Sequence, residues 1–351
     1  MSEATHRTLG SSPEPLVRRY DCAMLDLDGV VYIGPEAVDG APALLERARD
    51  EGMTLAFVTN NASRPAPEVG AHLRELGIPA DDHDVVTSAQ AAAWEIRDRC
   101  GEGARVLVVG GDGLVWALRE RGLEPVTSRA ENPVAVVQGF HPSVGWRQLA
   151  EGAAAIRAGA IWVASNVDLT FPTPDGPAPG NGALVNAVGA AVGREPDVVA
   201  GKPYRPLFDE TVRRVGSQRP LVVGDRLDTD IEGAVRAEVD SLLVMTGVTD
   251  VLTLLQAVPE QRSTYVAWTM EGLFAPHAAP QRRDGGAWVL DGWTARVQEG
   301  RVRVQTEADA EGEGEGEDRG RDAALRVAVA AAWAWQDERR EPVSGIDGLD
   351  R

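Results

Sequence analysis

The strongest constraint on how this 351-residue chain can fold is an alternation of two textures. Short apolar runs rich in β-branched residues occur at Cys22–Asp26, Thr54–Val58, Arg105–Val109, Val134–Gln138, Ala160–Ala164, Pro220–Gly224 and Ser241–Met245. Between them lie stretches with apolar residues at helical spacing: Ala41–Glu51, Pro67–Leu76, Ser88–Arg99, Gly113–Arg121, Gly145–Ala158, Gly182–Val192, Arg205–Val215 and Thr229–Ala237. Runs this short cannot be told from buried helix by period alone. Their regular interleaving with helices is what predicts α/β units around a parallel sheet. From about Gln256 the texture changes to Pro- and Arg-rich pieces and brief strand-like runs at Ala287–Leu290 and Arg301–Gln305. An acidic Gly/Glu tract at 307–322 follows, too polar to bury a core, and then an Ala-rich helix candidate at Ala323–Asp337.

The net charge of −19 argues against nucleic acid or an anionic membrane as the principal partner, but not against a small phosphorylated substrate, which needs only a local positive site. No run of about 18 apolar residues suggests a membrane span, and the first residues lack the pattern of a secretory signal. Residues 1–17 read as a disordered leader. Cys22 and Cys100 have no metal-ligand spacing, and Cys22 reads as a small buried hydrophobe, consistent with a reducing cytoplasm.

Four short motifs follow apolar runs or precede helices. In an open α/β sheet ligands bind outside the carboxyl ends of the strands, so acids at such ends draw notice. Asp26-Leu27-Asp28-Gly29 ends the first run and offers two carboxylates to one small site, although a lone D-x-D also occurs in ordinary turns. Thr59-Asn60-Asn61 supplies a hydroxyl and two amides suited to phosphate oxygens, or to a turn with a helix cap. Gly201-Lys202-Pro203 carries the single lysine among 35 basic residues. A compact ammonium surviving in an arginine background points to a place where a planar fork will not do. Gly224-Asp225-Arg226-Leu227-Asp228-Thr229-Asp230 puts Asp225 at a strand tip, with Asp230 about one turn into the next helix; Asp228 and Asp230 also fit solvated capping acids.

In this order the four motifs resemble the haloacid dehalogenase superfamily. The strings LDLDGVVYIG, FVTNN, SNVD, GKP and VVGDRLDTDI are similar to its subclass IIA, a branch of p-nitrophenyl, pyridoxal phosphate and glycerol-3-phosphate phosphatases. The resemblance covers about Tyr20 to Thr249 and implies a doubly wound, Rossmann-like parallel-sheet core with an inserted α/β cap. The core is expected at 18–102 and 198–256, the cap at 103–197, and a small C-terminal extension at 257–351. That extension is similar to one in some actinobacterial relatives.

The resemblance also assigns roles. Asp26 would be the nucleophile that becomes an aspartyl-phosphate, and Asp28 the general acid/base. Mg²⁺ would be held by Asp26, the backbone carbonyl of Asp28, and Asp225. Thr59, Asn60 and Lys202 would bind the phosphoryl group, with Gly29, Asn61 and Asp230 in support, Asp230 orienting Lys202 or metal-bound water. A small phosphorylated metabolite is the expected substrate, with glycerol 3-phosphate foremost and sugar phosphates or pyridoxal phosphate as alternatives. Gln138-Gly139-Phe140-His141 departs from the Gly-Leu/Phe-Asp frequent in relatives, which leaves the substrate open. A non-catalytic protein retaining the fold is the rival of another class; intact motif acids and Lys202 speak against it. Pairing of caps in the family makes a homodimer the expected assembly.

Overall fold

The computed structural model describes residues 7–173, 175–306 and 317–349. Residues 1–6 of the expected leader and 307–316 of the acidic tract lie outside them. The chain divides into two compact units, one formed by Met1–Leu55 with Ser217–Arg351 and the other by Ala56–Gly216.

The first unit is built on parallel strands lying side by side in the order Tyr265–Ala267, Asp240–Val244, Pro220–Gly224 and Cys22–Asp26. Cys22, Ala23, Met24 and Leu25 are all buried, as are Leu221, Val222 and Val223. Strands covered on both faces must be apolar at successive positions, which is why these stretches appear in the sequence as continuous runs rather than alternating ones. The strand Tyr265–Ala267 pairs with Leu242–Val244, so the parallel sheet continues beyond the expected core boundary at 256. Its three residues are too short a run to stand out from the Pro- and Arg-rich texture around it.

Two further expectations are corrected here. From Arg7 onward the expected disordered leader is held: the Gly10 N–H donates to the Thr264 carbonyl at 2.8 Å, and Ser12 and His277 exchange backbone hydrogen bonds at 2.7 and 2.8 Å. Leu16 in the short helix Leu16–Arg19 is buried. The helix of the extension spans Glu317–Arg339, so residues 317–322, the end of the acidic tract placed before the helix candidate, belong to its first turns.

That helix packs on a sheet of strands Gln281–Arg282, Trp288–Leu290, Trp293–Gln298, Arg301–Thr306 and Gly345–Asp347, antiparallel except for the last pair. One apolar cluster joins this module to the parallel sheet. It holds Leu243, Met245, Leu254 and Val266 together with Val302, Val304, Leu325 and Trp333. Polar ties cross the same boundary: the Trp333 indole donates to the Leu254 carbonyl at 3.0 Å, and fully buried Arg262 pairs with Asp337 at 2.8 Å. Beside them, His277 donates from Nε2 to the Gly272 carbonyl at 2.8 Å. Burial, aided by nearby Arg326, pushes its imidazolium down to about 4.

In the second unit the end of the strand Thr54–Thr59 pairs in parallel with Val85–Thr87. The helix Ser88–Cys100 follows, opened by a reciprocal capping box between Thr87 and Gln90. A separate parallel sheet has the order Val198–Val199, Ile161–Ala164, Ala135–Gln138, Arg105–Val109 and Glu124–Val126. Helices Trp146–Arg157 and Asn181–Val192 cover it, burying Ile156, Val185 and Val188 against Leu107, Val136 and Trp162. Hairpin strands Thr170–Thr173 and Gly176–Pro179 lead into the second of these helices. Among the described residues no helix is long and apolar enough to cross a membrane.

Candidate active site

Asp26 is the last residue of the strand Cys22–Asp26. The chain then turns sharply: the backbone N–H groups of Val31 and Tyr32 both donate to the Leu27 carbonyl, at 2.9 and 3.1 Å. Gly29 within this turn has φ +89°, a conformation costly for any residue with a Cβ, and an added Cβ would stand 2.5 Å from Asp225 Oδ2. The sequence motif thus has two separate reasons for its glycine.

Asp225 follows the strand Pro220–Gly224 and is fully buried. Its Oδ2 accepts the Val248 N–H at 2.5 Å, and Gly247 lies so close that a Cβ there would fall 1.9 Å from Oδ2. Next comes a widened turn, Leu227–Ile231, wound as π-helix before the α-helix Glu232–Ala237 begins. The Arg226 carbonyl accepts from both Asp230 and Ile231, each at 3.2 Å. Such a bulge re-aims side chains and recurs at functional sites. Here it turns Asp230 inward, where it is buried and accepts the Arg226 N–H at 3.1 Å, while Asp228 faces out and pairs with the Arg226 guanidinium at 2.8 Å.

Oxygen atoms of Asp26, Asp225 and Asp230 all lie within 4.8 Å of one another. Three acids in so small a space, two of them buried, strongly favour a cation among them; an all-oxygen donor set suits a hard divalent ion such as Mg²⁺. The carboxylates so grouped are not quite the set expected to touch the ion. Asp230, read from the sequence as support, joins Asp26 and Asp225, whereas the Asp28 carboxylate is exposed and outside this group. Asp28 was expected to contribute its main-chain carbonyl, so the side-chain position does not conflict with that role.

In the second unit Thr59 ends its strand in a buried position, its Oγ1 accepting the Asn61 N–H at 3.1 Å. The Asn61 Oδ1 accepts from Ser63 N at 2.9 Å and Ser63 Oγ at 2.7 Å, closing the turn. Lys202 is 4% exposed, and its Nζ donates to the Val58 carbonyl at 3.4 Å. Asn60 binds the Lys202 backbone directly: Oδ1 accepts the Lys202 N–H at 2.7 Å and Nδ2 donates to the Lys202 carbonyl at 2.9 Å. The motifs Thr59-Asn60-Asn61 and Gly201-Lys202-Pro203 are therefore physically joined. Sequence reasoning missed Asp168, Asn166 and Ser88, which also bond to Asn60. The string SNVD contained two of them, but only as a family likeness, with nothing to indicate what they touch.

Clustered acids at the carboxyl ends of parallel strands in an α/β fold suit metal-assisted chemistry on a phosphorylated ligand, and comparison with known proteins identifies the class. Residues 23–124 match the family described as haloacid dehalogenase-like hydrolase, and residues 199–273 match a second, HAD-hydrolase-like description. The chain belongs to the haloacid dehalogenase-like hydrolase family. It is 48% identical over 258 residues to the D-glycerol 3-phosphate phosphatase of Mycobacterium tuberculosis, covering 74% of this chain and 72% of that one. A crystal structure of glycerol phosphate phosphatase from the same organism in complex with magnesium superposes with TM-score 0.81 and 41% identity over 95% of each chain. Coverage that complete takes in the C-terminal extension. A 4-nitrophenylphosphatase from Thermotoga maritima is similar over 74% of this chain and 97% of its own, with TM-score 0.68 and 30% identity.

Proposed function

We propose that the protein is a magnesium-dependent phosphomonoester hydrolase of a small phosphorylated metabolite, with glycerol 3-phosphate as the substrate. The observation that carries this reading is the convergence of Asp26, Asp225 and Asp230 within 4.8 Å at the carboxyl ends of parallel strands. The likeness to glycerol phosphate phosphatases supports the choice of substrate.

In this reading Asp26, Asp225, Asp230 and the Asp28 carbonyl would hold Mg²⁺, which when bound supplies positive charge that offsets repulsion between the carboxylates and an anionic phosphate. Asp26 is the nucleophile. One of its carboxylate oxygens bonds to phosphorus as the bond from phosphorus to the ester oxygen breaks, leaving an aspartyl-phosphate. Asp28 gives its proton to the departing oxygen, releasing the alcohol. It then takes a proton from water as that water attacks phosphorus; inorganic phosphate leaves and the Asp26 carboxylate is restored. The proton that Asp28 gives in the first half is regained from water in the second, so each turnover leaves it as it began. Thr59 and Lys202 bind the transferring phosphoryl group, the ammonium stabilising its developing charge. Residues 103–197 act as the cap that shields the reacting groups from bulk solvent while leaving room for the one hydrolytic water.

The test is release of phosphate from glycerol 3-phosphate and from p-nitrophenyl phosphate, with Mg²⁺ and with EDTA, by the native protein and Asp26→Asn. Magnesium-dependent turnover lost in Asp26→Asn is the expected result. Turnover unchanged in that variant would refute the nucleophile assignment, and release from p-nitrophenyl phosphate alone would refute the substrate.

A further inference from the structure

We propose that Asn60 is a positioning residue for Lys202, acting through its carboxamide on the lysine's backbone rather than on the phosphoryl group, and that Asp168 fixes the orientation of that carboxamide. The catalytic consequence rests on the phosphatase reading above; the structural claim does not.

An asparagine carboxamide has one acceptor oxygen and one donor nitrogen with two hydrogens. All are engaged here. Oδ1 accepts the Lys202 N–H at 2.7 Å, and Nδ2 donates to the Lys202 carbonyl at 2.9 Å. This is the two-point pairing one strand makes with another, formed by a side chain. Rotating the amide by half a turn would set donor against donor and acceptor against acceptor. The second hydrogen of Nδ2 points to the Asp168 carboxylate, 3.1 and 3.3 Å from its two oxygens. A bond to a charged acceptor is among the stronger kinds, so Asp168 holds the amide in the one orientation that grips Lys202.

The root of Asn60 is fixed as well. Its backbone carbonyl accepts from Ser88 Oγ and Asn166 Nδ2, both at 2.7 Å. Asn166 also accepts the Asp168 N–H on Oδ1 at 3.2 Å, and its own carbonyl receives Asn181 Nδ2 at 2.7 Å. The loop at Lys202 lies so near that a Cβ on Gly201 would be 2.5 Å from Asn60 Oδ1. With both peptide groups of Lys202 held, the direction of its Cα–Cβ bond is set. The flexible four-carbon stem then needs fewer torsions fixed to deliver the ammonium. Asp168 precedes the hairpin strand Thr170–Thr173, so the relay also ties that hairpin's base to the lysine.

The test uses the full chain in four forms: native, Asn60→Ala, Asp168→Asn and Asp168→Ala. Hydrogen exchange is the first measurement. In Asn60→Ala the Lys202 amide should exchange at least about tenfold faster, while the helix Arg205–Val215 keeps its protection. Unchanged protection at Lys202 would overturn the proposal whatever the activity. Steady-state hydrolysis of p-nitrophenyl phosphate with Mg²⁺ is the second. Loss of positioning should lower kcat in Asn60→Ala by about 100-fold with little change in KM. In a Lys202→Met background the same substitution should cost less than about twofold, because nothing remains to be positioned. An equal loss in both backgrounds would mean that Asn60 acts on the substrate itself, and would overturn the proposal. Asp168→Asn keeps an acceptor for Nδ2 and should retain several-fold more kcat than Asp168→Ala; equal loss would remove Asp168 from the relay. A native protein inert toward both glycerol 3-phosphate and p-nitrophenyl phosphate, with the exchange effect intact, would refute the phosphatase reading and leave the positioning of Lys202 standing.

Discussion

Removing one charge from the acid cluster should make the metal-stripped protein more stable while making it insensitive to magnesium. Asp230→Asn is the informative change, because the amide oxygen can still accept the Arg226 N–H that Asp230 Oδ2 now accepts at 3.1 Å. Two like charges 4.8 Å apart repel by about 3 kcal/mol at an effective dielectric near 20. Asp230 takes part in two such pairs. Screening at the half-exposed Asp26 and compensation by other partners reduce the sum, so a net gain of about 2 kcal/mol is expected in EDTA. For a cooperative unit of this size that corresponds to a rise in Tm of about 4–8 °C. Saturating Mg²⁺, at about 100 times its Kd, should stabilise the native protein by about 2.7 kcal/mol and the variant by far less. Differential scanning calorimetry in EDTA and in Mg²⁺ gives all four numbers. A variant less stable than the native protein in EDTA, yet equally stabilised by Mg²⁺, would refute the account of the cluster as a cation site held together against its own repulsion.

Lys202→Arg preserves charge but must place a wider planar group in a position only 4% exposed; kcat for p-nitrophenyl phosphate should fall by about 100-fold, and full activity would contradict the case for a compact ammonium. Gly247→Ala should drive Asp225 from its place, since the new Cβ would meet Oδ2 at 1.9 Å; magnesium titration of activity should show the apparent affinity falling at least about tenfold. His277 lies at about 4 when folded against about 6.5 when unfolded, so the unfolded chain binds the extra proton between those values. Stability from this group is complete above about pH 6.5 and is lost as pH falls toward 4; Tm measured from pH 4 to 7 should show a flatter slope in His277→Gln.

The parallel architecture was legible because strands buried on both faces leave continuous apolar runs, and Pro220–Gly224 and Arg205–Val215 appear with the limits expected. Tyr265–Ala267 was not legible: it is short, and its place is decided by pairing with a strand already formed, which no local pattern records. The acids at strand tips were visible as motifs. Their division of labour was not, because the π-wound turn at Leu227–Ile231 gains one residue on regular helical phase and thereby sends Asp230 inward and Asp228 outward. Asn60 shows another limit. A side chain suited by chemistry to phosphate is equally suited to a peptide group, and only the fold reveals which of the two it meets.

The apolar cluster shared by the C-terminal module and the parallel sheet has a consequence for the acids. Leu227 and Ile231, which flank Asp230, belong to the same packed set as Val304 and Trp333. In this chain a module so joined cannot be lost without exposing apolar residues of the loop that carries the acids. A loosened helix Glu317–Arg339 would therefore disturb the packing beneath Asp230 as well as its own.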